Sequence, residues 1–299
     1  RTINAYQSND SIASTPGYAA AWQSLRNEKA FARAYVNLST ATRELSNSSS
    51  RPIDADILAK VSTQGLVTTL NLQTEGILFR GISWLQPKSQ QVHSLDNRAK
   101  DMPTRFPDST VLFVSGTNLE QLWKSYLVVA QDNPRAPLNP TWLRSALQES
   151  VGLDWDKELL PWMTGEFGLG LVRAQVDSKA NFPGSVTVMV ETKNRSQAEE
   201  VLAQLDKAMQ KKYKFKVEES TVQSRSVVNW IAPQFQGMTV TRGWLSGDVA
   251  FLSIGAPISE TFIPKPAPSL AETNLFKTAV PRDLQPNNGY FFWDLENTL

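Results

Sequence analysis

The chain has 299 residues, no cysteine, one histidine, and 30 basic against 29 acidic side chains, a formal charge of +1. That balance supplies no global field to attract nucleic acid or an anionic membrane, and the absence of cysteine removes disulfides, thiolate nucleophiles, iron-sulfur clusters and cysteine-ligated zinc. With 41% hydrophobic and 20% charged residues the composition is that of a folded globular protein, for which hard, oxygen-ligated ions are the remaining metals.

The chain begins with Arg1, without a basic-then-apolar leader. The expectation is therefore a processed or internal piece of a longer polypeptide. No run approaches the roughly 20 apolar residues that cross a bilayer. Residues 11–18 lead through Leu25 into an aromatic strand with Phe31, Tyr35 and Val36, closing on Asn37 and Leu38. The run 46–52 is a loop by composition. Segments 65–71 and 76–84 read as two strands, with Leu72, Gln73, Thr74 and Glu75 as a hairpin connection. Residues 87–107 are polar and charged and mark a boundary; they include His93, which reads as a solvated loop histidine, with general acid/base duty as the alternative.

Beyond the boundary, Val111 to Val114 form a buried strand that meets Thr117 and Asn118 as cap candidates, with Glu120 in the first turn of a helix. That helix sets Leu122, Trp123, Tyr126 and Leu127 at helical spacing. A second helix covers 140–150, with Trp142, Leu143, Ala146 and Leu147 on one face; a short one covers 155–163, and strands follow at 166–173 and 185–191. The clearest helix is 197–212, where Ala198, Val201, Leu202, Leu205, Ala208 and Met209 recur at i, i+3, i+4 and i+7. Tyr213, Phe215 and Val217 then alternate with Lys214, Lys216 and Glu218, predicting a half-buried strand over 213–219. Three more strands are expected at 226–231, 238–242 and 249–254, and the four prolines in 257–268 predict an extended linker.

Ser11, Ile12, Ala13 and Thr15 match Ser269, Leu270, Ala271 and Thr273, and Asn37-Leu38 matches Asp294-Leu295, at a spacing of about 257 residues. This spacing is that of a duplicated domain. The expected organisation is a first, partial unit over 1–100, a fuller unit over 101–256, and a proline-rich linker with the start of a further repeat over 257–299. Hairpins with helices on one face make the fold class α+β, a mainly antiparallel sheet built from repeated strand-helix-hairpin units.

Candidate chemistry is sparse. Asp154, Asp156 and Glu158, with Glu166 beyond, are the densest carboxylates. A calcium loop would need ligands at alternate positions and a glycine at the bend, whereas Trp155 and Lys157 intervene, so Asp154 reads as a helix cap supported by Glu158. Gly165, Gly168 and Gly170 lie within a predicted strand with no helix start after them, which favours close packing over a phosphate loop. Ser246-Gly247-Asp248 reads as a turn. Lys207, Lys211, Lys212, Lys214 and Lys216 are offset by neighbouring acids and read as a solvated face. Of nine tryptophans, Trp123, Trp142, Trp155 and Trp162 fall close together and are the expected interaction surface, most of them being core at helical spacing. No catalytic, metal-binding or cofactor-binding set emerges.

The run Pro107 to Val114 with Asn118-Leu119 and Trp123, then Leu159-Leu160-Pro161-Trp162 with Gly165-Glu166, and the aromatic strands closing on Asn37-Leu38 and Asp294-Leu295, resembles an uncharacterised family. It is similar to the large extracytoplasmic proteins of cyanobacteria catalogued only as a domain of unknown function. The resemblance implies a membrane-anchored protein of the periplasm or thylakoid lumen with a duplicated region, and it transfers no catalytic residues. The resulting expectation is a non-enzymatic interaction or scaffold module with a protein partner, associated with a membrane-protein complex. The alternatives are a hydrolase using Asp154, Asp156 and Glu166, and a carrier of an apolar ligand.

Overall fold

The structure, a computed structural model, describes residues 11–26, 29–38, 40–41, 44, 63–73, 76–85, 99–130, 138–174, 183–232, 237–245, 247–280 and 287–297. The loop expected at 46–52, His93 and Ser246 lie outside the described residues. By contacts the chain forms two units, one of Arg1–His93 with Ser125–Asn139, the other of Ser94–Lys124 with Pro140–Leu299.

In the first unit, a 3-10 turn at Ile12–Ser14 precedes helix α1 (Tyr18–Ser24), and strands β1 (Ala32–Asn37), β2 (Thr63–Gln73) and β3 (Gly76–Leu85) form an antiparallel sheet in chain order. Strand alternation sends Tyr35, Val67, Ile82 and Trp84 to one face, where they pack on Tyr18, Ala21, Trp22 and Leu25. Trp84 stacks with Tyr35 at 6.2 Å, and its indole N–H donates to the carbonyl of Pro16 at 2.8 Å. One sheet face thus carries the small core of this unit.

The second unit is an eight-stranded antiparallel sheet in the order β11-β4-β5-β6-β10-β9-β8-β7. Its strands are β4 (Thr110–Thr117), β5 (Glu166–Arg173), β6 (Gly184–Glu191), β7 (Lys216–Val222), β8 (Arg225–Ile231), β9 (Thr239–Trp244), β10 (Val249–Gly255) and β11 (Phe291–Trp293). Helix α2 (Leu119–Ala130) follows β4, α3 (Pro140–Val151) comes before β5, and α4 (Arg195–Lys211) connects β6 to β7. The α+β class with antiparallel sheets is as the sequence predicts. Asn118 caps α2 by accepting from the N–H of Gln121, and Asn194 caps α4 by accepting from that of Gln197.

One face of this sheet carries Phe292, Phe113, Val172, Met189, Phe251 and Val227 into the main core, against Met102, Phe106, Phe262, Ile263 and Leu270. Gly168 and Gly170 of β5 lie under the ring of Phe106, where a Cβ would come within 2.8 Å and 2.5 Å of its carbons. Their expected role in close packing is the observed one. The other face is covered in part: α4 brings Ala198 and Val201 onto Val190 and Ala250, joined by Leu153, Leu159 and Trp162, and its Leu205 and Met209 pack on Val228, Trp230 and Val240 of β8 and β9. Asp206 of α4 accepts from Trp230 Nε1 and Arg242 Nε, both at 2.8 Å, and fixes the helix on β8 and β9.

Two expectations are corrected here. Residues 257–268 are not an extended linker, because Ile258, Phe262 and Ile263 are buried in the main core and α5 (Asn274–Ala279) adds Phe276 against Phe292. Residues 257–297 therefore belong to the second unit, as packing of these apolar groups outweighs the proline content. The strand expected at 213–219 instead begins at Lys216, because Lys214 takes a left-handed conformation (φ 59°) that turns the chain out of α4.

Candidate functional site

The carboxylates considered as an acid/base set have separate structural duties. Asp154 caps a π-helical turn at Trp155–Leu159 by accepting from the N–H groups of Asp156 and Lys157, both at 3.0 Å, while Glu158 accepts from the N–H of Asp154 at 2.7 Å. This reciprocal cap is the arrangement that the sequence reading favoured. Asp156 accepts from Arg144 Nε at 2.5 Å and from Trp123 Nε1 at 3.3 Å. The Arg144 hydrogen bond holds its carboxyl below the usual carboxylate range, and the same contact raises the Arg144 pKa. Glu166, only 6% exposed, accepts from the backbone N–H groups of Lys100, Asp101 and Met102 at 2.8–3.2 Å. Among the described residues no group of three or more His, Asp or Glu side chains is placed to hold a metal ion.

The tryptophans do not form one surface. Trp123 and Trp162 are buried, and Trp155 is half-buried with its ring edge-on to Trp123 at 5.2 Å; only Trp142 of the four is broadly exposed, at 63%. Helical spacing turns Trp123 inward and Trp142 outward, leaving a packed group with one exposed member. The lysines Lys207, Lys211, Lys212, Lys214 and Lys216 are all exposed.

The surface feature that stands out lies on the eight-stranded sheet, beyond the end covered by α4. Pairing registers place Leu112 and Val114 of β4 opposite Leu171 and Leu169 of β5; these face Val186 and Val188 of β6, and Val186 faces Ile254 of β10. Phe291 and Trp293 of β11 continue the row beside Val114 and Leu112. Phe291, Trp293, Leu169, Val186, Val188 and Ile254 are 36–71% exposed, and Leu112, Val114 and Leu171 are half-buried. Nine apolar side chains on five strands thus make one face, continuous with the part that α4 covers. The first unit has a smaller counterpart, where Leu72, Ile77 and Phe79 are exposed on the sheet face opposite its core.

Sequence reasoning missed this face, although its signal was available. In 185–190 and 166–172 one register is wholly apolar, Val186, Val188 and Val190 with Phe167, Leu169 and Leu171, while the other still supplies Met189 and Val172, so both faces of these strands carry apolar groups. A chemistry of this kind binds by excluding water from flat apolar surface.

Fold and surface together define an α+β protein with a twice-layered antiparallel sheet, half of one face open. Residues 1–299 match the family model described as "Protein of unknown function (DUF3352)", and the chain belongs to that family. No curated protein and no solved structure matches the chain. Among the described residues no helix is long and apolar enough to cross a membrane.

Proposed function

We propose that this chain is a non-enzymatic interaction module whose recognition surface is the open apolar half of the eight-stranded sheet. One observation carries the reading: six large apolar side chains on adjacent strands are more than a third exposed, while Val190, Ala250, Val228, Trp230 and Val240 of the same face are buried beneath α4 and its neighbours. Scattered exposed apolar residues are ordinary, but a contiguous patch of several hundred Å² marks a binding surface. The engagement of Asp154, Asp156 and Glu166 in caps and ion pairs is in keeping with a binding rather than a chemical role. The proposal extends to an extracytoplasmic setting, in the periplasm or thylakoid lumen, where a cysteine-free chain avoids stray oxidation. It extends also to duplication, since a 3-10 turn, a helix and a strand occur in that order at 12–37 and again at 270–293, each turn opening on a serine.

The test is a double substitution, Leu169→Lys with Ile254→Lys. The variant is expected to keep its circular dichroism spectrum and to lie within about 0.5 kcal/mol of the parent in urea, as exposed positions do. It is also expected to lose binding of an apolar dye that the dilute parent protein binds. Collapse of the fold, or a parent that binds no dye, would show that the face is interior and would contradict the reading.

A further inference from the structure

We infer that the occupant of this face is a second copy of the same chain, packed sheet against sheet about a two-fold axis; this rests on the reading just given and names its partner. The chemistry of the face argues for a sheet as the complementary surface. Leu112, Val114, Leu169, Leu171, Val186, Val188 and Ile254 are aliphatic, point the same way from neighbouring strands and include no charged member. Interdigitating aliphatic rows of this kind form the inner faces of two stacked sheets about 10 Å apart. Because a two-fold contact places the same patch on both sides, an aliphatic centre whose one charged neighbour in this register of β5, Arg173, stands at the end of its strand meets itself with no like charges buried at its middle.

Size points the same way. A stable interface covers about 800 Å² per partner, and a patch across five strands with exposed Phe291 and Trp293 at its margin is of that order. The two sheet edges differ in a matching sense. Edge strand β7 carries Lys216, Glu218 and Glu219, charges that discourage strand addition at that edge, whereas Phe291–Trp293 of β11 carries none and adds two aromatic rings to the margin of the patch. A lipid surface fits less well, because Arg173 and Asp294, which end or follow the strands bearing the patch, are of opposite sign rather than a basic row.

Sedimentation equilibrium of the full chain, from about 1 µM to about 1 mM, covers the affinity range of weak and moderate dimers. The parent chain is expected to pass from monomer to dimer with rising concentration. Leu169→Lys and Val188→Lys, each checked for native circular dichroism, are expected to weaken the dimer at least tenfold, and Glu219→Lys on the far edge to leave it unchanged. A parent that stays monomeric throughout overturns the inference, as does a dimer indifferent to both patch variants. If that monomer still binds the apolar dye when dilute, the interaction reading stands and the choice of a second copy fails. If it instead co-sediments with phosphatidylcholine vesicles, the occupant is lipid and the inference also fails.

Discussion

Glu166 was singled out in the sequence for acid/base chemistry, and its surroundings give its buried carboxylate a structural duty. Three backbone N–H groups of residues 100–102, where the chain enters the second unit, would otherwise be left without acceptors beside the main core. A carboxylate can accept all three at once, and hydrogen bonds to a charged acceptor are worth more than neutral ones. Glu166→Ala is expected to destabilise the protein by roughly 2–4 kcal/mol in urea unfolding, since it leaves those donors unsatisfied. A loss below about 0.5 kcal/mol would mean that the 100–102 turn finds other partners. From sequence, nothing distinguishes this glutamate from a catalytic one, because its partners lie more than sixty positions away. Asp154 was legible for the opposite reason: its cap is made within four residues.

At the level of elements, Asp156 joins α3 to the π-helical turn through Arg144, which also lies 6.0 Å from the centre of the Trp123 ring. Because the folded-state pKa of Asp156 is lowered, the contact stabilises the protein above the unfolded aspartate pKa of about 4 and is lost as pH falls through the folded value. The pair is partly exposed, so screening limits it to about 0.5–1 kcal/mol. Asp156→Asn should therefore lower the urea midpoint at pH 7, with the gap to the parent narrowing steadily as the pH falls below about 4; a gap that stays constant with pH would assign the loss to packing. Helix α4 was readable because its apolar period runs unbroken from Ala198 to Met209, about three turns. The start of β7 was not, since a single left-handed residue, Lys214, resets the chain, and lysine does not advertise that conformation. The prolines of 257–268 misled for a related reason: they do forbid regular structure, but Ile258, Phe262 and Ile263 between them supply core.

At the level of the whole molecule, the exclusions drawn from composition led toward surface rather than reactive groups, but placed that surface on the tryptophans. Tryptophans on amphipathic helices turned inward with their apolar neighbours. The open apolar area instead arose from strands, where side chains of every second residue on five strands add up only once the registers are known. That is a property of strand pairing across about 180 residues: local periodicity marks single strands as apolar on both faces but does not say which strands lie side by side.

Absence of native cysteine makes the central claim directly measurable, because a single introduced thiol has no competitor. Val188→Cys places it on the open face and Met189→Cys one residue away in the main core. In dilute native protein, the thiol at 188 should react with a maleimide at nearly the rate of the unfolded chain and slow as protein concentration rises, while that at 189 stays unreactive until urea unfolds the chain. Equal protection of both thiols at every dilution would contradict the account, for it would place the apolar half of the sheet inside the molecule.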